Sequence, residues 1–183
     1  MAFQKRRAAS GQPETKDAAR SLSPERLEKR ARNVLLHQLA RSAKSKFQLA
    51  QVMIQREIPS EIYEPLLDRF EEAGLINDLT FAETIVASRR AGRGLSASSI
   101  KRELRTKGIS ESLIEQVTES ITAEEEVTLA TSLAIRRARS MTNLAPEVRK
   151  RRLVGFLQRK GYGQQAVFTA IRAAELEAVK SEF

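Results

Sequence analysis

From Ser23 onward, apolar residues recur at intervals of three and four, the spacing that lines one face of an α-helix. No stretch alternates apolar and polar positions for long enough to make a strand. Start and stop signals cut the pattern into about nine helices. Ser23-Pro24-Glu25 supplies a hydroxyl cap, a first-turn proline and an acid at the positive end of the helix dipole. Ser45 with Gln48 forms a capping box for a second helix, Pro59-Ser60 opens a third, and Gly74 ends it. Asp78 starts a fourth that runs to Gly92-Arg93-Gly94, and Ser96 starts a fifth that stops at Gly108. Ser110 opens the sixth, and Thr122 and Glu125 box the seventh. Pro146 lies in the first turn of the eighth, Gly161 ends it, and the ninth begins near Gly163. The pattern predicts an all-α fold.

Once the helix ends are marked, an internal repeat emerges. Leu49, Met53, Ile58, Ile62, Leu66 and Phe70 are spaced 4, 5, 4, 4, 4. The spacing returns 51 residues on in Ile100, Leu104, Ile109, Leu113, Val117 and Ile121. It returns a further 53 on in Leu153, Leu157, Tyr162, Ala166, Ala170 and Ala174. The interval of five marks a joint between two helices, reading Glu57-Ile58, Gly108-Ile109 and Gly161-Tyr162. One more helix precedes each set, over roughly 25–41, 78–91 and 123–140. The expectation is three tandem three-helix repeats, spanning 23–77, 78–122 and 123–183. A unit of that size buries little surface alone, so neighbours should stack into an elongated molecule. Residues 1–22 mix Gly, Ser, Pro, Ala and charges without periodicity and read as a disordered basic tail, with Lys5, Arg6 and Arg7 near its tip.

Composition narrows the function. The 183 residues contain no Cys and a single His, His37, which excludes disulfides, thiolate metal sites, cysteine nucleophiles and multi-histidine centres. The longest apolar runs, such as Val34-Leu35-Leu36, are far too short to span a membrane, and Met1 to Arg7 lack the apolar stretch of a secretory signal. Both features point to a cytoplasmic protein without a membrane partner. Thirty-two Lys and Arg against 23 Asp and Glu leave a net charge of +9, which favours polyanionic partners, nucleic acid first. The charge comes in blocks: +6 over 25–56, −7 over 57–88, +6 over 89–107, −6 over 108–135 and +8 over 136–160. Alternating signs suit a partner that presents both protein and nucleic acid.

The catalytic inventory is thin. His37 stands between Leu35-Leu36 and Leu39 with no thiol to activate, and reads as structural or exposed. Glu124, Glu125 and Glu126 are consecutive on a helix, so they point about 100° apart and cannot converge on one ion. Gly92-Arg93-Gly94 is neither a dinucleotide fingerprint nor a phosphate loop, and reads as an interhelical joint. These features predict neither an enzyme nor a cofactor site.

The basic clusters are the functional candidates. Lys101 and Arg105 share one stripe of the fifth helix with Arg102 beside them, and Arg89, Arg90 and Arg93 would extend that surface. Arg152 and Arg159, seven apart on the eighth helix, share a stripe with Gly155 between them, and Arg149 and Lys150 lie nearby with Arg151. Glycine costs a helix about 1 kcal/mol relative to alanine, which close approach by a neighbour or partner would explain. Arg136, Arg137 and Arg139 of the preceding helix also lie near this stripe. Phe47, Phe70, Phe81, Phe156, Tyr162 and Phe168 fall at core-like spacing and read as packing rather than as stacking platforms.

Three segments carry a family resemblance. Asp78-Leu-Thr-Phe81-Ala82 with Arg89-Arg90 downstream resembles a D-x-x-F-A…R signature. Ile100-Lys-Arg-Glu103-Leu104 followed by Lys107-Gly108-Ile109 is similar to an I-x-x-E-L-x-x-K-G-I core. Phe156-Leu157-Gln-Arg159-Lys160-Gly161-Tyr162 is similar to a C-terminal F-L-x-R-R-G-F/Y segment. In order and spacing the three resemble RecX, the bacterial regulator of the RecA recombinase. Gly94-Leu95-Ser96 departs from the Tyr-Gly-Pro that members often carry there. The resemblance implies three tandem three-helix repeats without a catalytic residue. It also implies a monomer docked on the RecA filament, with contact to single- or double-stranded DNA directly or within that filament. Filament growth and activity would be restrained in consequence. A stand-alone helical DNA-binding protein and a cytoplasmic scaffold assembling through its charge blocks are the alternatives. The acidic third helices, which DNA would repel, weigh against the former.

Overall fold

The computed structural model describes residues 23–180, and every regular element among them is helical. The order is α1 (Pro24–Arg41), α2 (Lys46–Gln55), α3 (Ser60–Glu72), α4 (Asp78–Ser88), α5 (Ala97–Thr106), α6 (Glu111–Thr118), α7 (Ala123–Ala138), α8 (Pro146–Arg159) and α9 (Gln164–Lys180). A π turn, Arg89–Arg93, follows α4, and a 3-10 turn, Arg139–Met141, follows α7. The expected tail, 1–22, lies outside the described residues.

Local chemistry sets most boundaries. The capping boxes of Ser45 with Gln48 and of Thr122 with Glu125 are both made, and Ser96 and Ser110 each accept a backbone N–H at their helix starts. Ser23 makes no side-chain cap bond, so Pro24 and Glu25 alone mark the start of α1. The fourth helix departs from expectation. Regular α geometry stops at Ser88, and the widened turn sends consecutive arginines to different partners before Gly94 closes it.

Three cores follow one another along the chain, one for each trio of helices. Ala31, Leu35, Leu49, Met53, Leu66 and Phe70 are buried among α1–α3, and Phe81, Ala82, Ile100, Leu104 and Ile114 among α4–α6. The third core uses small residues where α7 meets α9. Ala130, Ala134 and Ala138 face Ala170 and Ala174 at helical spacing, and Leu133, Leu153 and Leu157 fill the remainder. Each fully buried Leu or Ile contributes about 1.5–3 kcal/mol relative to exposure.

The repeats stack by one joint used twice. At the first, the α2 N–H of Lys46 donates to Asp78 Oδ1 of the next unit at 2.9 Å. Ser45 Oγ donates to the Lys107 carbonyl at the end of α5, at 2.6 Å. At the second, the α5 N–H of Ala97 donates to Glu126 Oε1 at 3.2 Å, and Ser96 N–H donates to the Lys160 carbonyl at 3.0 Å. Asp78 and Glu126 hold the same register, each four residues before a fully buried alanine, Ala82 or Ala130. The positive ends of α2 and α5 thus each meet a carboxylate and the negative end of the next middle helix.

Glycine makes the approach possible. Gly108 and Gly161 follow those helix ends at φ +75° and +87°, and a Cβ there would overlap Phe47 or the Ser96 and Ser99 hydroxyls. The outer ends of the stack lack these parts. Glu57 takes the glycine position at φ 56°, and Ala145-Pro146 offers neither a hydroxyl nor the first helical N–H.

Candidate nucleic-acid interface

The cationic side chains follow two fates. Those of the second repeat are largely spent on carboxylates. Arg89 makes a two-pronged pair with Glu103, Nε to Oε2 at 2.8 Å and Nη2 to Oε1 at 2.7 Å, both side chains about four-fifths covered. The Arg89 bond holds the Glu103 carboxyl below its ordinary range despite burial. Arg90 pairs with Glu126, covered to a similar degree, and so ties the π turn to α7. Arg105 pairs with Glu111 on the surface, Nε to Oε2 at 2.9 Å. The surface expected from Arg89, Arg90, Lys101, Arg102 and Arg105 is therefore broken up. Arg102 remains exposed, 3.3 Å from the Ser99 hydroxyl, beside a half-buried Lys101.

In the third repeat the cations converge. A cleft of about 310 Å³ is lined by Arg137, Met141, Arg151, Arg152, Gly155, Phe156 and Arg159. A second, of about 480 Å³, is lined by Gly92, Arg93, Leu95, Leu133, Arg136, Arg137, Ser140, Phe156 and Lys160. They share Arg137 and Phe156, so one basic groove runs between α7 and α8 to the π turn. No carboxylate lines either cleft, and among the described residues none pairs with these seven cations. Lys160 donates to the Arg93 carbonyl across the second joint, and burial together with Arg136 lowers its pKa. Its ammonium stands 5.1 Å from the Phe156 ring centre, and the Arg137 guanidinium 5.9 Å.

The repeat explains the contrast. Arg89 and Arg137 are equivalent, each seven residues past the buried alanine, and Glu103 and Phe156 each precede a fully buried leucine. The second repeat fills this position with Arg–Glu, the third with Arg–Phe. The positive charge is neutralised in one and left standing in the other. Gly155 falls on the groove side, where even a Cβ would meet Arg159 Nη1 at 3.2 Å.

The remaining candidates divide. Arg93, Arg152 and Arg159 line the groove. Lys150 stands 4.0 Å from Glu175 of α9, and Arg149 is half-buried outside both clefts. Of the aromatics, Phe70, Phe81 and Tyr162 are core residues, whereas Phe47 and Phe168 are 45% and 69% exposed and Phe156 lines the groove. The Phe47 side chain lies directly over Gly108. His37 is exposed, and Glu124, Glu125 and Glu126 hold no ion-binding arrangement. No helix among the described residues is long and apolar enough to cross a membrane.

Known proteins match this chain in sequence and fold. The model of the second three-helix domain of RecX matches residues 77–117, and that of the third matches 124–171. The regulatory protein RecX of Thermobifida fusca is 38% identical over 164 residues, covering 89% of each chain. That of Streptomyces coelicolor is 42% identical over 144 residues, covering 79% of this chain and 77% of its own. The crystal structure of RecX from Lactobacillus salivarius, 19% identical, superposes with a TM-score of 0.72 over 83% of this chain and 99% of its own, which shows the shared fold. With two successive domain models matched and relatives of this identity aligned along most of its length, the chain belongs to the RecX family of regulatory proteins.

Proposed function

We propose that this protein is a non-enzymatic modulator of the RecA recombinase, acting in the cytoplasm as a monomer. It seats on the recombinase–DNA filament, limits its extension, and so restrains its activities in recombination and repair. Repeat boundaries at 77/78 and 122/123 make its three units. The observation that carries the reading is the groove of seven cations without a carboxylate, in a chain of a regulatory family. Like charges so close repel one another unless a polyanion enters, and a phosphate backbone supplies evenly spaced negative charge. The blanked ends of the stack support a monomer, since a second copy finds no joint to complete.

Two double variants test the groove. Arg152→Ala with Arg159→Ala should weaken binding to the filament and to bare DNA. It should also flatten the salt dependence by about 1.4 to 1.8 in the log–log slope, the loss of two phosphate contacts. Arg102→Ala with Arg105→Ala, outside the groove, should leave the slope within about 0.5 of the parent's. Equal slopes for the parent and the groove variant would remove the groove from the interface.

A further inference from the structure

The acidic charge of the third repeat is also placed. A cleft of about 860 Å³ opens between the end of α4 and the first half of α7. Ala87, Ala91 and Leu129 give it apolar walls, Glu124, Glu125 and, one turn on, Thr128 line it from α7, and the one cation of its lining, Arg90, is paired with Glu126. Among the described residues no cationic side chain pairs with Glu124 or Glu125, whereas their neighbour Glu126 is taken by Arg90. Glu125, Leu129, Ser132, Arg136 and Ser140 succeed one another at intervals of three and four. This cleft and the basic one therefore lie end to end along one face of α7, and the charge changes sign near Ser132.

We propose that the acidic cleft seats a cationic segment with small apolar side chains on the protein component of the nucleoprotein partner whose phosphates fill the basic end. Phosphates are excluded from it by Glu124 and Glu125, and an acidic peptide is excluded for the same reason. The apolar walls reward burial of methyl and methylene groups, which a nucleic acid backbone does not offer and a lysine or arginine stem does. The two ends thus match a surface on which protein and nucleic acid adjoin. The inference rests on the proposed function for the identity of that surface, and the charge switch along α7 locates its protein side.

Substitution at the exposed Thr128 separates charge from bulk. Thr128→Lys places a cation four residues after Glu124, a pair that supports the helix, so weaker binding would not reflect melting. Thr128→Glu has similar bulk and the opposite sign. Dissociation constants are measured for each variant on the recombinase–DNA filament and on the same DNA without recombinase. The expected result is that Thr128→Lys weakens filament binding about five-fold or more and changes bare-DNA binding less than about two-fold, while Thr128→Glu binds the filament as tightly as the parent or tighter. Parental filament affinity in Thr128→Lys overturns the proposal, as does equal weakening by both substitutions. A gain on bare DNA with no loss on the filament would reduce the cleft to phosphate repulsion. Should the Arg152 and Arg159 variant bind like the parent while the Thr128 pair behaves as expected, the basic-groove reading fails and the acidic cleft stands.

Discussion

At the second joint, one phenol bridges two repeats: Tyr162 Oη donates to the Gly94 carbonyl at 3.1 Å and the side chain is buried. Burial pushes its pKa up to about 12 from an ordinary 10.0, with Glu126 adding to the shift. The folded protein then keeps a proton that the unfolded chain releases, so stability is unaffected below pH 10 and falls as pH rises from 10 towards 12. Tyr162→Phe should cost about 1 kcal/mol at neutral pH and flatten the alkaline decline, as thermal melts of both proteins between about pH 8 and about pH 11 would show. A parallel decline in both would mean that Tyr162 does not hold its proton through the fold.

At this scale the sequence shows where cations lie but not which carboxylates reach them. Arg89 and Arg137 look alike in a helical projection. They differ because Glu103 reaches Arg89 from a neighbouring helix, while Phe156 holds the equivalent place in the third repeat. Lys160 reads as a helix terminus and turns out to serve both joint and groove.

The helices themselves were largely legible, because caps and periodicity act over four residues. The joint between repeats was only half legible. Its three-fold sequence echo at Glu57, Gly108 and Gly161 is visible in the chain, and so is the capping serine. The carboxylates of Asp78 and Glu126 read as ordinary first-turn acids, because their partners lie 32 and 29 residues away. The glycines allow a direct check of the joint. Gly161→Ala combines a positive φ with overlap against Ser96 and Ser99 and should lose about 2 kcal/mol or more, whereas Gly92→Ala, in open space, should stay within about 0.5 kcal/mol of the parent. Denaturant midpoints measure both, and similar values for the two variants would show that the second joint is not tightly closed.

Across the whole molecule, the charge blocks become an arrangement in space. Arg89, Arg90 and Arg105 of the second repeat are paired with carboxylates, an acidic cleft and a basic groove lie along one helix of the third, and the outer ends of the stack lack the parts of the joint. That arrangement suits a protein that lies against a surface of mixed charge. The DNA-dependent ATPase rate of the RecA recombinase, followed as this protein is added, tests the account most directly. The parent should depress the rate at or below stoichiometric amounts, and the variant with Arg152→Ala and Arg159→Ala should need several-fold more protein for the same depression. A rate that excess parent leaves unchanged, or that both proteins depress equally, would contradict it.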